Sequence, residues 1–90
     1  MESRVAVIGI IAEKEGDIEE LNKILHQYSS YIVGRMGIPY QKRGINIISV
    51  VIDAPADVIS ALSGRLGMLH KITSKALYSK VPGTPSGDEG

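Results

Sequence analysis

Ninety residues with no cysteine and ten side chains of each charge sign describe one domain, with neither a disulfide framework nor thiolate chemistry. Zero formal charge and a pI near 6.7 exclude a global basic field that would draw the chain onto nucleic acid. The hydrophobic fraction, 43%, is almost wholly aliphatic: four Tyr are present and no Phe or Trp.

The chain opens with Met1-Glu2-Ser3-Arg4 and runs straight into a β-rich segment, without the cleavage site of a signal peptide, so a cytoplasmic location is expected. Arg4–Ala12 is nearly all aliphatic, with Val5, Val7 and Ile11 on one face and Ala6, Ile8 and Ile10 on the other. Such a strand belongs in the middle of a sheet, and Gly9 within it suggests a bulge or a close backbone approach. Glu13–Gly16 is a connection in which Gly16 offers positive φ. Asp17 follows as an N-cap, with Glu20 in the capping-box position. Ile18, Leu21, Ile24, Leu25 and Tyr28 then recur at helical spacing, predicting a helix over Asp17–Tyr28 that Ser29 and Ser30 end.

Tyr31–Ile38 reads as a weaker strand. Gly34, Gly37 and the embedded Arg35 suit an edge, and Pro39 closes it. The polar segment 40–44 turns into Ile45–Asp53, a β-branched run too short for a membrane span and suited to a central strand covered on both faces. Pro55 marks the expected first helical position of a second helix, with Val58, Ile59, Leu62 and Leu66 as its buried stripe and Gly67 near its end. Lys71–Ser79 alternates as a final edge strand, with Ile72, Ala76 and Tyr78 on its apolar side. The stretch 81–90, rich in Gly, Pro and Ser, is expected to be a disordered tail behind a domain spanning 1–80.

The order β-α-β-β-α-β predicts an α+β, ferredoxin-like sandwich: a four-stranded antiparallel sheet with two helices on one face. Right-handed crossovers place the first and third strands in the middle, which matches their apolar character. The second sheet face then lacks an internal cover, so the expected state is a homo-oligomer, a dimer or a tetramer.

The chemistry-bearing residues are sparse. His26 and His70 have no partners at metal-ligand spacing, so neither metal nor cofactor is expected. The carboxylates of 13–20 are explained by helix capping and the helix dipole, and no nucleophile motif or phosphate loop is present, so no catalytic residue is assigned. Two places could meet a small ligand. Gly34, Arg35 and Gly37 place a bidentate cation on an open backbone. Gly16, Asp17 and Ile18 offer a helix N-terminus, with the amides of Ile18 and Glu19 facing outward. Of the two, Arg35 suits an anion, while the acidic residues around Asp17 favour a polar or cationic group.

Arg4–Ile11, Tyr31–Tyr40 and Asp53–Gly67 together resemble the small regulator-like proteins associated with iron-only hydrogenase systems, and the resemblance spans about 4–80. That family is in turn similar to the ACT-like C-terminal domain of nickel-responsive repressors. The resemblance implies an ACT-like fold, oligomerisation and a regulatory role. It does not carry over the nickel ligands, since cysteine is absent, nor a DNA-binding arm, since the fold begins at Arg4. The expected function is a non-enzymatic, oligomeric module that senses a small ligand or docks on a protein of the hydrogenase system. The alternatives are direct DNA-binding regulation, opposed by the neutral charge, and an enzyme on the same fold.

Overall fold

A computed structural model describes residues 2–81. Its elements are β1 (Arg4–Glu13), α1 (Ile18–Gln27), β2 (Ile32–Tyr40), β3 (Ile45–Ala54), α2 (Ala56–Gly67) and β4 (Ile72–Tyr78), with short 3₁₀ turns at Ser29–Tyr31 and Gln41–Arg43. The strands form one antiparallel sheet in the order β2-β3-β1-β4, which is the expected ferredoxin-like topology. Of the tail expected to be disordered, only Val81 is described; 82–90 lie outside the described residues. No helix among the described residues is long and apolar enough to cross a membrane.

The core lies between the sheet and the helices. Alternate residues of the central strands point into it: Ala6, Ile8, Ile10 and Ala12 from β1, and Ile48, Val50, Ile52 and Ala54 from β3. Leu21, Ile24 and Leu25 of α1, and Ile59, Leu62 and Leu66 of α2, meet them at the spacing of a helical stripe. No polar or charged side chain is buried among the described residues, so the core owes its stability to aliphatic burial and packing.

Local details depart from the expectations where tertiary contacts override local signals. Asp17 occupies the N-cap position of α1 but makes no side-chain cap bond; its backbone N–H donates to His70 O in the α2–β4 turn. Pro55 is the N-cap of α2 rather than its first helical residue. Pro39 does not close β2 but lies within it opposite Asn46, which an edge strand permits because a residue there can do without a ladder donor. The irregularity of the sheet is not at Gly9, which pairs regularly with Ser49 and Lys75, but between Ile32 and Gly34. Positive φ belongs to Gly44 and Lys71, not to Gly16.

The central strands are covered on one face only. Val5, Val7 and Ile11 of β1 are 37–46% exposed, and Ile47 of β3 is 39% exposed. β3 is therefore not buried on both faces within one chain, contrary to what its unbroken apolar run suggests.

Candidate functional site

Three regions remain as candidates once the fold is in place: the node after β1, the cleft between α1 and β2, and the open sheet face.

At the node, backbone groups from three connections converge. Glu13 N donates to Lys71 O at 3.0 Å, Lys14 N to Gly44 O at 2.8 Å, and Asp17 N to His70 O at 3.2 Å. The Lys71 ammonium adds an ion pair to Glu15 at 3.0 Å. Gly16 sits in the middle. A Cβ there would lie 3.0 Å from the carbonyl oxygens of both Glu13 and Lys71 and 3.1 Å from that of His70. Glycine is needed at this position for the chain's own backbone packing, and Ile18 N already donates to Gly16 O at 2.9 Å. The Ile18 amide, expected to face outward, is thus engaged within the loop. Lys71 accepts a left-handed φ of 59° so that its carbonyl can reach Glu13.

The α1–β2 cleft gathers residues that the sequence kept apart. Ile18 and Asn22 of α1, Gly37, Ile38 and Pro39 of β2, and Asn46 and Ile48 of β3 line a space of about 290 Å³. Arg35, one register step along β2 on the helix side, donates from Nη2 to Asn22 Oδ1 at 3.1 Å. A Cβ at Gly37 would only graze Ile48 Cγ1 at 3.9 Å, so the glycine leaves the cleft floor low. Of the six expected ligand residues, Ile18 and Gly37 line this cleft and Arg35 reaches its wall. Gly16 and Asp17 belong to the node. Gly34, opposite Val51, faces the uncovered side of the sheet. Asn22 and Asn46 were not singled out from the sequence. Asn22 sits on the polar side of an amphipathic helix, and only the position of β2 gives it a partner.

The open face is read from the register. Met36, Ser49, Gly9 and Lys75 form one row across the four strands; Ile38, Ile47, Ile11 and Thr73 form the row on one side, and Gly34, Val51, Val7 and Leu77 the row on the other. Its charged residues stand at the margins: Glu13 and Asp53 at the two ends, Lys75 on the edge strand β4. Met36 is 63% exposed, Leu77 73% and Ile38 52%, which are large values for aliphatic side chains that share one surface.

Among the described residues no group of three or more His, Cys, Asp or Glu side chains is arranged to hold a metal ion. His26 lies exposed on α1, and His70 is exposed in the turn before β4.

With this geometry in view, the comparison with known proteins is direct. Residues 4–76 match the family model described as "TM1266-like: Iron-only hydrogenase system regulator, putative". The chain belongs to the TM1266-like family. The solved structure of the uncharacterized protein TM1266 from Thermotoga maritima superposes with a TM-score of 0.84 at 32% sequence identity, covering 88% of this chain and 100% of that one. None of the curated proteins matches. The TM1266-like match begins with β1 and ends within β4, so it contains the node, the cleft and most of the open face.

Proposed function

We propose that this TM1266-like chain is a non-enzymatic regulatory module of an iron-only hydrogenase system, acting in the cytoplasm as an assembly of identical copies, a dimer or a tetramer. One observation carries the reading. The central strands are aliphatic on both faces, yet the chain's own helices cover only one of them. An uncovered aliphatic sheet face on a small domain marks an interaction surface. A regulatory role is the one named in the description of the family.

Within that reading, effector sensing falls to the α1–β2 cleft. Arg35 supplies a cation for a carboxylate or phosphate, Gly37 leaves room above the strand, and Ile18 gives an apolar wall. Gly16 and Asp17 support the cleft from the helix start, and Gly34 links its strand to the open face. A protein of the hydrogenase system is the other candidate for docking.

The test has two parts. Sedimentation or light scattering at micromolar concentration should give a dimer or larger; a monomer that also fails to bind an apolar dye overturns the assembly. A strain lacking the gene should show altered iron-only hydrogenase transcript or activity, and an unchanged level overturns the regulatory role.

A further inference from the structure

The open face is not evenly filled. At its centre, Gly9 of β1 stands opposite Ser49 of β3. A Cβ built on Gly9 meets nothing within 4 Å, and its φ is not positive, so neither crowding nor backbone strain calls for glycine there. Along the strands the pair is bracketed by Ile11 and Ile47 on one side and by Val7 and Val51 on the other. Four branched side chains therefore bracket the pair along the strands, and Lys75 and Met36 flank it across them, around a position that carries almost no side chain. The result is a socket in an aliphatic surface, at the middle of the sheet.

We propose that the Gly9–Ser49 socket receives an aliphatic side chain from the open face of a second copy of this chain, and so sets the register of face-to-face association. This rests on the assembly proposed above and adds to it a location and a reason for Gly9. Three observations favour a second copy as occupant. The face carries its own protruding side chains beside the socket, Met36 and Leu77 at 63% and 73% exposed, so each copy presents both the projection and the hollow that an isologous contact requires. Glu13 and Asp53 stand at the two ends of the face and Lys75, paired with Gly9, is its one charge beside the socket, on an edge strand from which its long side chain can reach solvent; the chain's net charge is zero, so two copies meet with little long-range repulsion. The area fits a small interface: four strands about 4.8 Å apart and about 27 Å of β1 give a footprint of roughly 500 Å² per copy, about 1,000 Å² in total, the minimum for a specific pair. The chain's own residues 82–90, Pro-Gly-Thr-Pro-Ser-Gly-Asp-Glu-Gly, contain no Val, Leu, Ile or Met to fill the socket.

The test is to fill the socket from within. Gly9→Leu adds volume where the single chain has space, so far-UV circular dichroism should stay that of the wild type while the dissociation constant of the assembly rises about tenfold or more by sedimentation. Ser49→Leu fills the other half of the floor and should act the same way. Gly9→Ala, the mildest filling, covers the case in which a larger side chain perturbs the fold, and should weaken association measurably. A wild-type chain that is monomeric overturns the assembly reading itself. A wild-type assembly that Gly9→Ala, Gly9→Leu and Ser49→Leu leave equally tight overturns the socket alone and moves the contact to a sheet edge.

Discussion

The two faces of the sheet are built from the same kinds of residue and end in opposite environments. On β1, Ala6, Ile8, Ile10 and Ala12 are at most 1% exposed, whereas their neighbours Val5, Val7 and Ile11 are 37–46% exposed. Nothing in side-chain chemistry separates Ile10 from Ile11. The difference is that α1 and α2 both pack on the first set, and the second set has only solvent or another molecule to meet. A strand aliphatic on both faces therefore describes a position in an assembly as much as a position in a fold.

The largest expected effect sharpens that contrast. Leu62→Ala, within the covered face, should cost roughly 2–5 kcal/mol in urea unfolding, through lost transfer energy and a residual cavity. Val7→Ala on the open face should cost less than about 1 kcal/mol in a chain dilute enough to be monomeric, because the side chain is already partly in water. Equal costs at low concentration would break the distinction between the faces.

The glycines give the next comparison. Gly16→Ala pushes a Cβ to about 3 Å from three backbone carbonyls, which cannot rotate away as a side chain could, so thermal unfolding should report a loss of roughly 1–3 kcal/mol. Gly9→Ala meets open space and reduces the freedom of the unfolded chain. The monomer should gain about 0.4–1 kcal/mol, even as its association weakens. A loss of monomer stability at Gly9 would show that the hollow is structural.

The cleft should be quieter. Arg35→Ala removes one exposed hydrogen bond to Asn22, so denaturant midpoints should move by less than about 0.5 kcal/mol. If the cleft takes anions, calorimetric binding of simple carboxylates or phosphate should be lost in that variant while the fold persists. Smallest of all is Glu15→Gln. Its pair with Lys71 is largely solvated, and a change under about 0.5 kcal/mol that fades with added salt is expected in thermal melts.

Much of the architecture was legible because it follows from periodicity. The helical stripes of Ile18–Tyr28 and Val58–Leu66, the apolar runs of β1 and β3, and the glycine-broken β2 specify which elements form, and the right-handed crossover rule orders them. Capping and turn details were less legible. Asp17 has the residue type of an N-cap and Gly16 that of a positive-φ turn, yet Asp17 makes no side-chain cap bond and Gly16 has no positive φ; at both places carbonyls of the α2–β4 turn, more than fifty residues away, pack against the backbone. The candidate site divides along the same line. Arg35 and Gly37 stood out as oddities of a strand, but their association with Ile18 and Asn22 depends on where α1 lies over the sheet.

The sequence by itself determined the alternation of each strand, the stripe on each helix and hence a βαββαβ sheet with helices on one side, because these depend on side chains a few positions apart. Only the tertiary structure decided which face of each central strand the helices took, which glycine is packed and which is open, and which polar side chain meets Arg35. Those outcomes depend on register between elements distant in sequence, where a shift of one residue exchanges the two faces of a strand.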